Sequence, residues 1–494
     1  MFRLEIVCKL FHFMRLPNEE MEVFSKPTLF TRVFALSIRN MSSTNQQPKH
    51  KILIVGGGAG GCAMANRLCK HFEKNEVAVI EPSAVTFTIP YSCSSGYLYI
   101  IIFFSIVFII QTHYYQPLWT LVGAGIKPLK ESVQPLEKVL TSKAKLYKDK
   151  ITHIEPKESY VVLSNGDKIS YEYLILALGI TLRYDKVIGA EEALKNDPRV
   201  CSNYSTDYVE KTYKAYQNFN GGNAVFTLPA GPIKCAGAPQ KVMYLFEDYM
   251  KRSGKKILAN IHYFTATNKL FSVDKYSENL TEICKKRNIN CNLSYNLVEV
   301  DSQASEAVFQ HMETKELKRI KYDFLHITPP MCCPEILTKT PKLTNPKSCD
   351  YVDVNVKTLR HNHYDNIFAL GDCAALPTSK TAAAVSSQAA TLEKNLCDVI
   401  KGGQGNVSEY DGYTACPIVT GYNRGIIAEF DYRAKPLETL PIDQGKERYI
   451  FYFMKTYILP PLYWDGLLKG IWSGPKSIRN LLHLHRPSYS DPQK

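Results

Sequence analysis

Residues 51–72 read KILIVGGGAGGCAMANRLCKHF, which is a short β-branched run, a cluster of glycines and then a helical pattern. Gly56, Gly58 and Gly61 stand in G-x-G-x-x-G spacing. In this pattern the first glycine permits a tight turn, the second lets a pyrophosphate approach the backbone, and the third lets helix and strand pack closely. The next apolar run, VAVIEP, contains Glu81, whose carboxylate suits ribose hydroxyls. This order of elements predicts a dinucleotide site in an α/β domain, and favours it over a purely structural glycine turn.

Two later apolar runs also end in small or acidic residues. Residues 171–179 read YEYLILALG, and residues 364–374 read YDNIFALGDCA, which includes Gly371 and Asp372. Together with the glycine motif, these segments resemble the two-dinucleotide-binding-domain flavoproteins, in which the aspartate of the later Gly-Asp binds the ribityl chain of FAD. The resemblance implies FAD as the cofactor. Two ordinary strand ends of an α/β protein are the alternative.

In that class of flavoprotein, a second α/β domain interrupts the FAD domain and normally binds NAD(P)H. The corresponding stretch at 223–250, NAVFTLPAGPIKCAGAPQKVMYLFEDYM, predicts a strand and a helix but lacks the glycine motif. The next strand, KILANIHYFTAT at 256–267, ends in threonine and has no acid for a ribose. Because such a site suits a nicotinamide dinucleotide poorly, we expect the reductant to be something other than NAD(P)H.

Two cysteines lie in turns that follow predicted strands, and we expect both turns to face the flavin. Cys235 precedes a predicted helix and stands beside Lys234, and both the helix dipole and the ammonium group favour a thiolate. Cys373 comes directly after Asp372. Singly, each cysteine could be a small buried hydrophobe. Together they predict a redox pair that accepts a nucleophile and releases a thiolate beside the flavin.

Four longer stretches carry a more specific resemblance. TLPAGPIKCAGAPQKVMYL, LHITPPM, GDCAALPTSKTAAAVSSQ and CPIVTGYNRGIIAEFDYRAKPLETLP are similar to segments of the sulfide:quinone oxidoreductases of animal mitochondria. The similarity runs from about residue 51 to about residue 484, apart from one interruption. It implies an enzyme that oxidises hydrogen sulfide and reduces ubiquinone.

The resemblance also implies roles for individual residues. Cys235 and Cys373 are the expected catalytic pair, bridged at rest by a disulfide or trisulfide. Sulfide attacks Cys373 and leaves a persulfide there, Cys235 becomes the thiolate that donates electrons to FAD, and the outer sulfur passes to glutathione, sulfite or another acceptor. Gly56 and Gly61 belong to the expected FAD site as part of the glycine motif. The FAD contacts that the resemblance implies are Gly57, Gly58, Glu81, Gln116, Ile151 and Asp372.

Composition narrows the class of protein further. The formal net charge of +13 is compatible with a nucleic acid, an anionic membrane or a basic matrix protein, and the resemblance implies no nucleic acid. The fourteen cysteines include no C-x-x-C pair, which indicates a reducing compartment and neither a disulfide scaffold nor a metal cluster.

The N-terminal segment contains an apolar stretch without acidic residues in which Lys26, Arg32 and Arg39 are interspersed, as in a mitochondrial presequence. A disordered tail is the alternative, and the true start could lie at Met14 or beyond.

The C-terminal region is basic and aromatic. From Glu447 onward, Pro460-Pro461 and Gly474-Pro475 divide it into helices too short to span a bilayer of about 30 Å. Such helices suit the membrane interface, so we expect peripheral association with the matrix face of the inner mitochondrial membrane. A helical cap on the core or an oligomer contact is the alternative.

One segment departs from the family pattern. Residues 88–112 form an apolar insert beside the expected FAD ribose site, and its apolar run is shorter than the ~20 residues of a spanning helix. A translated intron is the favoured interpretation, because both flanks continue the family pattern. A membrane-inserting loop and a shallow hairpin are the alternatives. A real insert would put the FAD contact through Gln116 in doubt.

The predicted architecture is α/β, with two Rossmann-like dinucleotide-binding domains and a membrane-facing helical tail. The expected parts are a targeting or disordered segment at 1–48, the FAD domain at 49–200 and 351–410, the second domain at 201–350 and the tail at 411–494. Two other functions stay open at this point. An NADH:quinone dehydrogenase-like flavoprotein would not need Cys235, and a non-catalytic flavin-bound partner protein would follow if the insert ruins the site.

Overall fold

A computed structural model describes residues 48–82, 85–91 and 104–483, with the backbone alone at 85–91 and 104–110. From Lys49 onward the described residues form one compact unit. The predicted presequence residues lie outside the described part of the chain.

The first sheet begins with the strand that precedes the glycine motif. Lys49–Val55 is buried along most of its length and pairs in parallel with Val77–Ile80 and Lys168–Leu176. Buried β-branched and leucine side chains on both faces are typical of a parallel sheet covered on both sides. Ile367–Ala369 then joins Lys168–Leu176 in parallel, so a strand nearly two hundred residues later completes the first sheet. In spatial order the strands of this sheet are Lys145–Tyr147, Val77–Ile80, Lys49–Val55, Lys168–Leu176, Tyr160–Leu163 and Ile151–Glu155, with Ile367–Ala369 against Lys168–Leu176.

The second sheet is formed by the chain that interrupts the first. Its central strand, Gly222–Leu228, is parallel to both neighbours. In spatial order its strands are Val200–Cys201, Phe324–His326, Gly222–Leu228, Ala259–Thr265 and Ile289–Leu293. The α/β fold with an interrupted first domain is thus confirmed.

The remaining elements surround these two sheets. The other strands are Val85–Tyr91, Phe104–Ile110, Thr112–Tyr114, Val133–Pro135, Thr181–Leu182, Tyr295–Asp301, Glu306–His311, Leu317–Lys321, Met331–Cys332, Thr344–Asn345, Tyr351–Val352, Thr414–Gly421 and Arg424–Phe430. The α-helices are Ala59–Leu68, Trp119–Val122, Leu136–Val139, Ala190–Asn196, Thr206–Asn218, Ala238–Arg252, Asp274–Lys286, Glu335–Thr338, Ala382–Ile400, Tyr449–Phe453, Leu459–Pro461 and Lys476–Leu482. The 3₁₀ turns are Gln116–Leu118, Leu129–Ser132, Tyr184–Lys186, Lys256–Leu258, Pro341–Leu343, Pro346–Ser348 and Gly371–Cys373, and π-helical turns occupy Met454–Ile458 and Leu462–Leu467.

Polar contacts tie the C-terminal region to the first domain. The buried guanidinium of Arg67, on the helix after the glycine motif, donates to Glu393 at 2.7 Å and to the carbonyl of Trp472 at 2.6 Å. The side chain of Asn66 donates to the carbonyl of Leu468 at 2.5 Å. The short C-terminal helices therefore pack on the first domain. Among residues 48–82, 85–91 and 104–483, the helices lack the combination of length and apolar character that a membrane-spanning helix needs.

Part of the unusual insert is described as paired strands. Val85–Tyr91 runs antiparallel to Phe104–Ile110, with Val85 opposite Ile110. This backbone pairing is that of an antiparallel hairpin. Residues 92–103 between the two strands lie outside the described part of the chain.

Candidate active site

A cavity of about 1220 Å³ lies at the carboxyl ends of the parallel strands. Its lining includes Gly56 after the strand Lys49–Val55, Cys235 after Gly222–Leu228, and Gly371 after Ile367–Ala369. In open α/β sheets, ligands bind at this edge. The volume exceeds the 300–1,000 Å³ or so of pockets for drug-sized ligands, so it can hold a larger group such as a dinucleotide.

The glycine motif has the geometry that a pyrophosphate requires. Gly56 has φ of 108°, a conformation that favours glycine, and a Cβ on Gly61 would overlap the carbonyl oxygen of Gly56. A Cβ on Gly58 would meet nothing within 4 Å, because that position faces the cavity. The backbone N–H of Gly57 donates to the carboxylate of Glu81, which also lines the cavity. The predicted turn and Glu81 therefore face the same cavity. Gly61 packs against the carbonyl of Gly56 on the side of the turn away from the cavity.

The other residues expected at the cofactor also line this cavity. They are Gln116, Ile151 and Asp372. Gln116 accepts a hydrogen bond from the ammonium group of Lys234 at 2.6 Å. The hydroxyl of Thr120 is buried at the cavity and has no hydrogen-bond partner among the described residues. Because buried polar groups are usually hydrogen-bonded, this hydroxyl is suited to bind a ligand in the cavity.

Cys235 has a second cysteine beside it. Its sulfur lies 3.5 Å from that of Cys416, and both are free thiols. Cys235 has φ of 50° and its backbone N–H donates to the carbonyl of Lys380 at 3.0 Å, which holds it in the turn before the helix Ala238–Arg252. Cys416 lies on the strand Thr414–Gly421. A Cβ on Gly237 would come within 2.7 Å of the Cys416 sulfur, so the glycine at this position leaves room for the second thiol.

Two buried lysines surround the thiol pair. Lys241 donates to the sulfur of Cys235 at 3.4 Å, and the ammonium group of Lys455 donates to the carbonyl of Pro117 at 2.7 Å. The Cys416 thiol, followed by these two positive charges, lowers the pKa of Cys235 well below that of an ordinary thiol, whereas contact with Cys235 raises the pKa of Cys416. Burial and the nearby Lys241 lower the pKa of Lys455 to about 7. The site therefore stabilises a thiolate at Cys235.

Cys373 occupies a different environment from the one expected. Its side chain is fully buried, and its thiol donates to the carbonyl oxygens of Leu176, at 3.3 Å, and Leu370, at 3.5 Å. Burial raises the pKa of Cys373 to about 11. The 3₁₀ turn Gly371–Cys373 aims this thiol at backbone carbonyls, so the expected pairing of Cys235 with Cys373 is not the contact in the structure, where the thiol beside Cys235 is that of Cys416.

The sequence interpretation also missed the residues around the pair. Cys416 stands inside the quoted stretch CPIVTGYNRG, which offered a signal, but nothing local marked it as the partner of a residue in another domain. Lys241 is one helical turn beyond Gly237, on the helix that Cys235 precedes. Lys455 lies in the aromatic C-terminal stretch, where its charge indicated an interfacial face, although the side chain is only 2% exposed.

Known proteins resemble this chain over most of its length. The family model described as pyridine nucleotide-disulphide oxidoreductase matches residues 50–390. The mitochondrial sulfide:quinone oxidoreductase of Mus musculus is 44% identical over 88% of this chain and 90% of that protein. The protein of the same name from Dictyostelium discoideum is 40% identical over 87% of this chain and 88% of that protein.

A solved structure agrees at the level of the fold. The sulfide:quinone oxidoreductase of Aquifex aeolicus superposes with a TM-score of 0.69 at 18% identity, covering 89% of this chain and 96% of that one. The chain therefore belongs to the pyridine nucleotide-disulphide oxidoreductase family and, within it, to the sulfide:quinone oxidoreductases.

Proposed function

We propose that this protein is an FAD-dependent mitochondrial enzyme that oxidises hydrogen sulfide through Cys235 and Cys416 and reduces ubiquinone. The observation that carries the proposal is the contact of these two thiols beside Lys241, at the edge of a cavity built on a dinucleotide motif. The relatives named above support the substrates.

The residues at the cavity fit FAD. Backbone N–H groups of the turn Gly56–Gly58 would hold the pyrophosphate, Glu81 the adenosine ribose, and Asp372 the ribityl chain. Lys380, whose ammonium group donates to the carbonyl of Asp372 at 2.6 Å, places a positive charge at the same end of the cavity. Bound FAD supplies a two-electron acceptor that can in turn reduce a quinone.

The electrostatics assign different roles to the two sulfurs. In the oxidised pair, hydrosulfide attacks the sulfur of Cys416, the bond to Cys235 breaks, and Cys235 leaves as a thiolate. The products are a persulfide, Cys416–S–SH, and the Cys235 thiolate, so atoms and charge balance. This direction is favoured because a thiol of lower pKa is the better leaving group, and Lys241 and Lys455 lower the pKa of Cys235. The two lysines also attract the anionic nucleophile.

The spacing of the thiols bears on the resting state. Their separation of 3.5 Å exceeds one S–S bond of about 2.05 Å but is shorter than two such bonds end to end. A small side-chain movement would bring the two sulfurs to disulfide distance, and the two electrons lost when the disulfide forms would pass to bound FAD. A single bridging sulfur at the oxidation level of a persulfide's outer sulfur would instead give a trisulfide. The persulfide sulfur on Cys416 would then pass to a thiol or sulfite, with glutathione as the proposed thiol.

Features of the C-terminal region favour the proposal that the quinone reaches the cavity from a membrane. Met454, Ile458 and Leu462 line the same cavity as the glycine motif. On the outside of this region, large apolar side chains are exposed, including Ile471 at 72% and Leu481 at 67%. The basic residues Arg448, Lys469 and Lys476 are exposed in the same region. An apolar surface with a basic rim suits the membrane interface, so we place the enzyme on the matrix face of the inner mitochondrial membrane as a peripheral protein.

The reductant distinguishes this proposal from an NADH:quinone dehydrogenase. The purified protein is titrated anaerobically with sulfide and, separately, with NADH, while the flavin absorption is followed. We expect bleaching by sulfide alone and recovery on addition of a short-chain ubiquinone. Bleaching by NADH without a response to sulfide would overturn the proposal and favour the dehydrogenase, and a bound flavin that neither donor bleaches would overturn it in favour of the non-catalytic alternative.

A further inference from the structure

A buried histidine joins the C-terminal region to the glycine turn. The side chain of His113 is only 3% exposed, and its Nδ1 lies 3.1 Å from the carbonyl oxygen of Gly57. On the other side of the ring, Nε2 lies 2.7 Å from the hydroxyl of Tyr463, which belongs to the π-helical turn Leu462–Leu467. All three residues line the cavity, and the mechanism proposed above gives neither side chain a role.

The hydrogen bonds of this relay have a defined direction. A carbonyl oxygen can only accept, so Nδ1 of His113 carries the proton and donates to Gly57. Burial lowers the pKa of His113 to about 4, so the ring is neutral near pH 7 and its Nε2 accepts from the hydroxyl of Tyr463. Tyr463 thereby fixes the tautomer in which His113 can donate to the glycine turn.

Aromatic packing holds both rings in place. The ring centroid of Tyr463 lies 4.3 Å from that of Tyr115, and the ring centroid of His113 lies 5.8 Å from that of Trp464. These contacts add to the hydrogen bonds, described above, between the same region and the helix that follows the glycine motif. Rotation of either ring would break the packing, so the relay is held in one geometry.

The carbonyl that accepts from His113 determines where the next backbone N–H points. The thiol of Cys62 also donates to this oxygen, at 3.1 Å. The peptide bond between Gly57 and Gly58 is trans, so its C=O and its N–H point in opposite directions. Two donors at the carbonyl therefore direct the N–H of Gly58 to the other side of the turn, and this N–H belongs to the group proposed above to hold the pyrophosphate.

We propose that His113 and Tyr463 are positioning residues of the cofactor site, so that the C-terminal region contributes to the retention of FAD. Tyr463 acts through His113, and His113 acts through the carbonyl of Gly57. The inference rests on FAD as the cofactor of the proposed function, but not on which donor reduces the flavin. Residues that only filled this space could be replaced by apolar side chains of similar size without a change in FAD retention.

The release of FAD from the full-length holoenzyme tests the role of His113. Flavin fluorescence rises as FAD leaves the diluted protein, and this rise gives the release rate. In His113→Leu the donor to Gly57 is absent, so FAD should leave about tenfold faster than from the wild type. In His113→Asn the side-chain NH₂ group can replace Nδ1, so the rate should stay within about threefold of the wild type. An unchanged rate in His113→Leu, or equally fast release in both variants, would overturn the proposal.

A second set of variants separates the hydrogen bond of Tyr463 from its packing. Tyr463→Phe keeps the ring against Tyr115 and removes the hydroxyl, so FAD should leave about fivefold faster. In the His113→Asn background the same change should have no further effect, because the acceptor at Nε2 is gone. Tyr449→Phe, which removes an exposed hydroxyl from the same region, should release FAD as the wild type does.

Two results would contradict the relay. One is an equal effect of Tyr463→Phe in the wild-type and His113→Asn backgrounds, because the two side chains would then act independently. The other is a holoenzyme that sulfide bleaches but whose variants all release FAD at the wild-type rate. That second result would overturn this inference and leave the proposed function intact.

Discussion

The sulfur of Cys235 lies 3.5 Å from that of Cys416, although the two residues are 181 positions apart in the chain. One precedes a helix of the second domain and the other lies on the strand Thr414–Gly421, so only the folded chain brings them together. Lys241 contacts the first sulfur, and Gly237 leaves space for the second. We propose this pair, in which the pKa of one thiol is lowered and that of the other raised, as the group that accepts electrons from sulfide.

Replacing Lys241 should change the ionisation of Cys235. Since the Cys416 thiol and, after it, Lys241 lower the pKa of Cys235, the thiolate in the wild-type enzyme persists as the pH falls below the ordinary thiol range of about 8.5. In Lys241→Met the pKa of Cys235 should rise, so alkylation of Cys235 at pH 6.5 should slow about tenfold. The rate is measured on the reduced enzyme as a function of pH by peptide mass spectrometry. Lys251→Met, an exposed lysine on the same helix, serves as the control, and an unchanged pH profile in Lys241→Met would contradict the role of Lys241.

A methyl group at position 237 should separate the two thiols. Gly237 has φ of −82°, so alanine fits the backbone there, but its Cβ would come within 2.7 Å of the Cys416 sulfur. Because small displacements of reacting groups cost about 10²-fold in rate, Gly237→Ala should retain FAD and lose about 10²-fold in sulfide oxidation. Flavin content and steady-state quinone reduction check both parts. Full activity in this variant would show that the contact of the two thiols is not required.

The carboxylate of Glu81 should contribute to cofactor retention. It accepts a hydrogen bond from the backbone of Gly57 and faces the cavity where the ribose is expected. Glu81→Gln replaces a charged acceptor by a weaker one, and FAD affinity should fall about tenfold or more. The flavin content after gel filtration and the dissociation constant of the apoprotein are measured. Glu137→Gln, at an exposed ion pair with Lys148, should bind FAD as the wild type does.

The C-terminal apolar surface should hold the enzyme on a membrane. Ile471→Glu combined with Leu481→Glu removes two exposed side chains whose burial would contribute about 1.5–3 kcal/mol each. Binding to vesicles that contain anionic lipid should fall at least about tenfold, while reduction of a short-chain quinone in solution continues. Ile257→Glu provides the matched control, because this side chain is 93% exposed but belongs to the second domain. Equal loss of vesicle binding in the control would contradict a C-terminal docking surface.

The first domain was predictable because its signals are local. Strand, glycine turn, helix and acid follow one another within about thirty residues, and the structure has Gly56, Gly58 and Glu81 at the same cavity. The interruption of the domain was also predictable, because the Gly-Asp segment at 371–372 follows a strand that completes the first sheet.

The partner of Cys235 was not predictable in the same way. Cys373 stands next to Asp372 in the chain, and proximity in sequence suggested a shared role. A 3₁₀ turn instead directs its thiol to the carbonyl of Leu176, whereas Cys416 reaches Cys235 through the packing of a strand against the helix Ala238–Arg252. Lys455 was missed for a related reason, since a lysine among aromatic residues is usually at an interface and here is buried.

The most direct test of the account compares two cysteine substitutions in anaerobic reduction of the bound flavin by sulfide. Cys416→Ser should retain FAD and reduce it at least about 10³-fold more slowly than the wild type, because sulfide then has no disulfide to attack. Cys373→Ser should stay within about tenfold of the wild type, since its hydroxyl can donate to the carbonyls of Leu176 and Leu370 as the thiol does. Rapid flavin reduction in Cys416→Ser, together with its loss in Cys373→Ser, would contradict the account and restore Cys373 as the partner of Cys235.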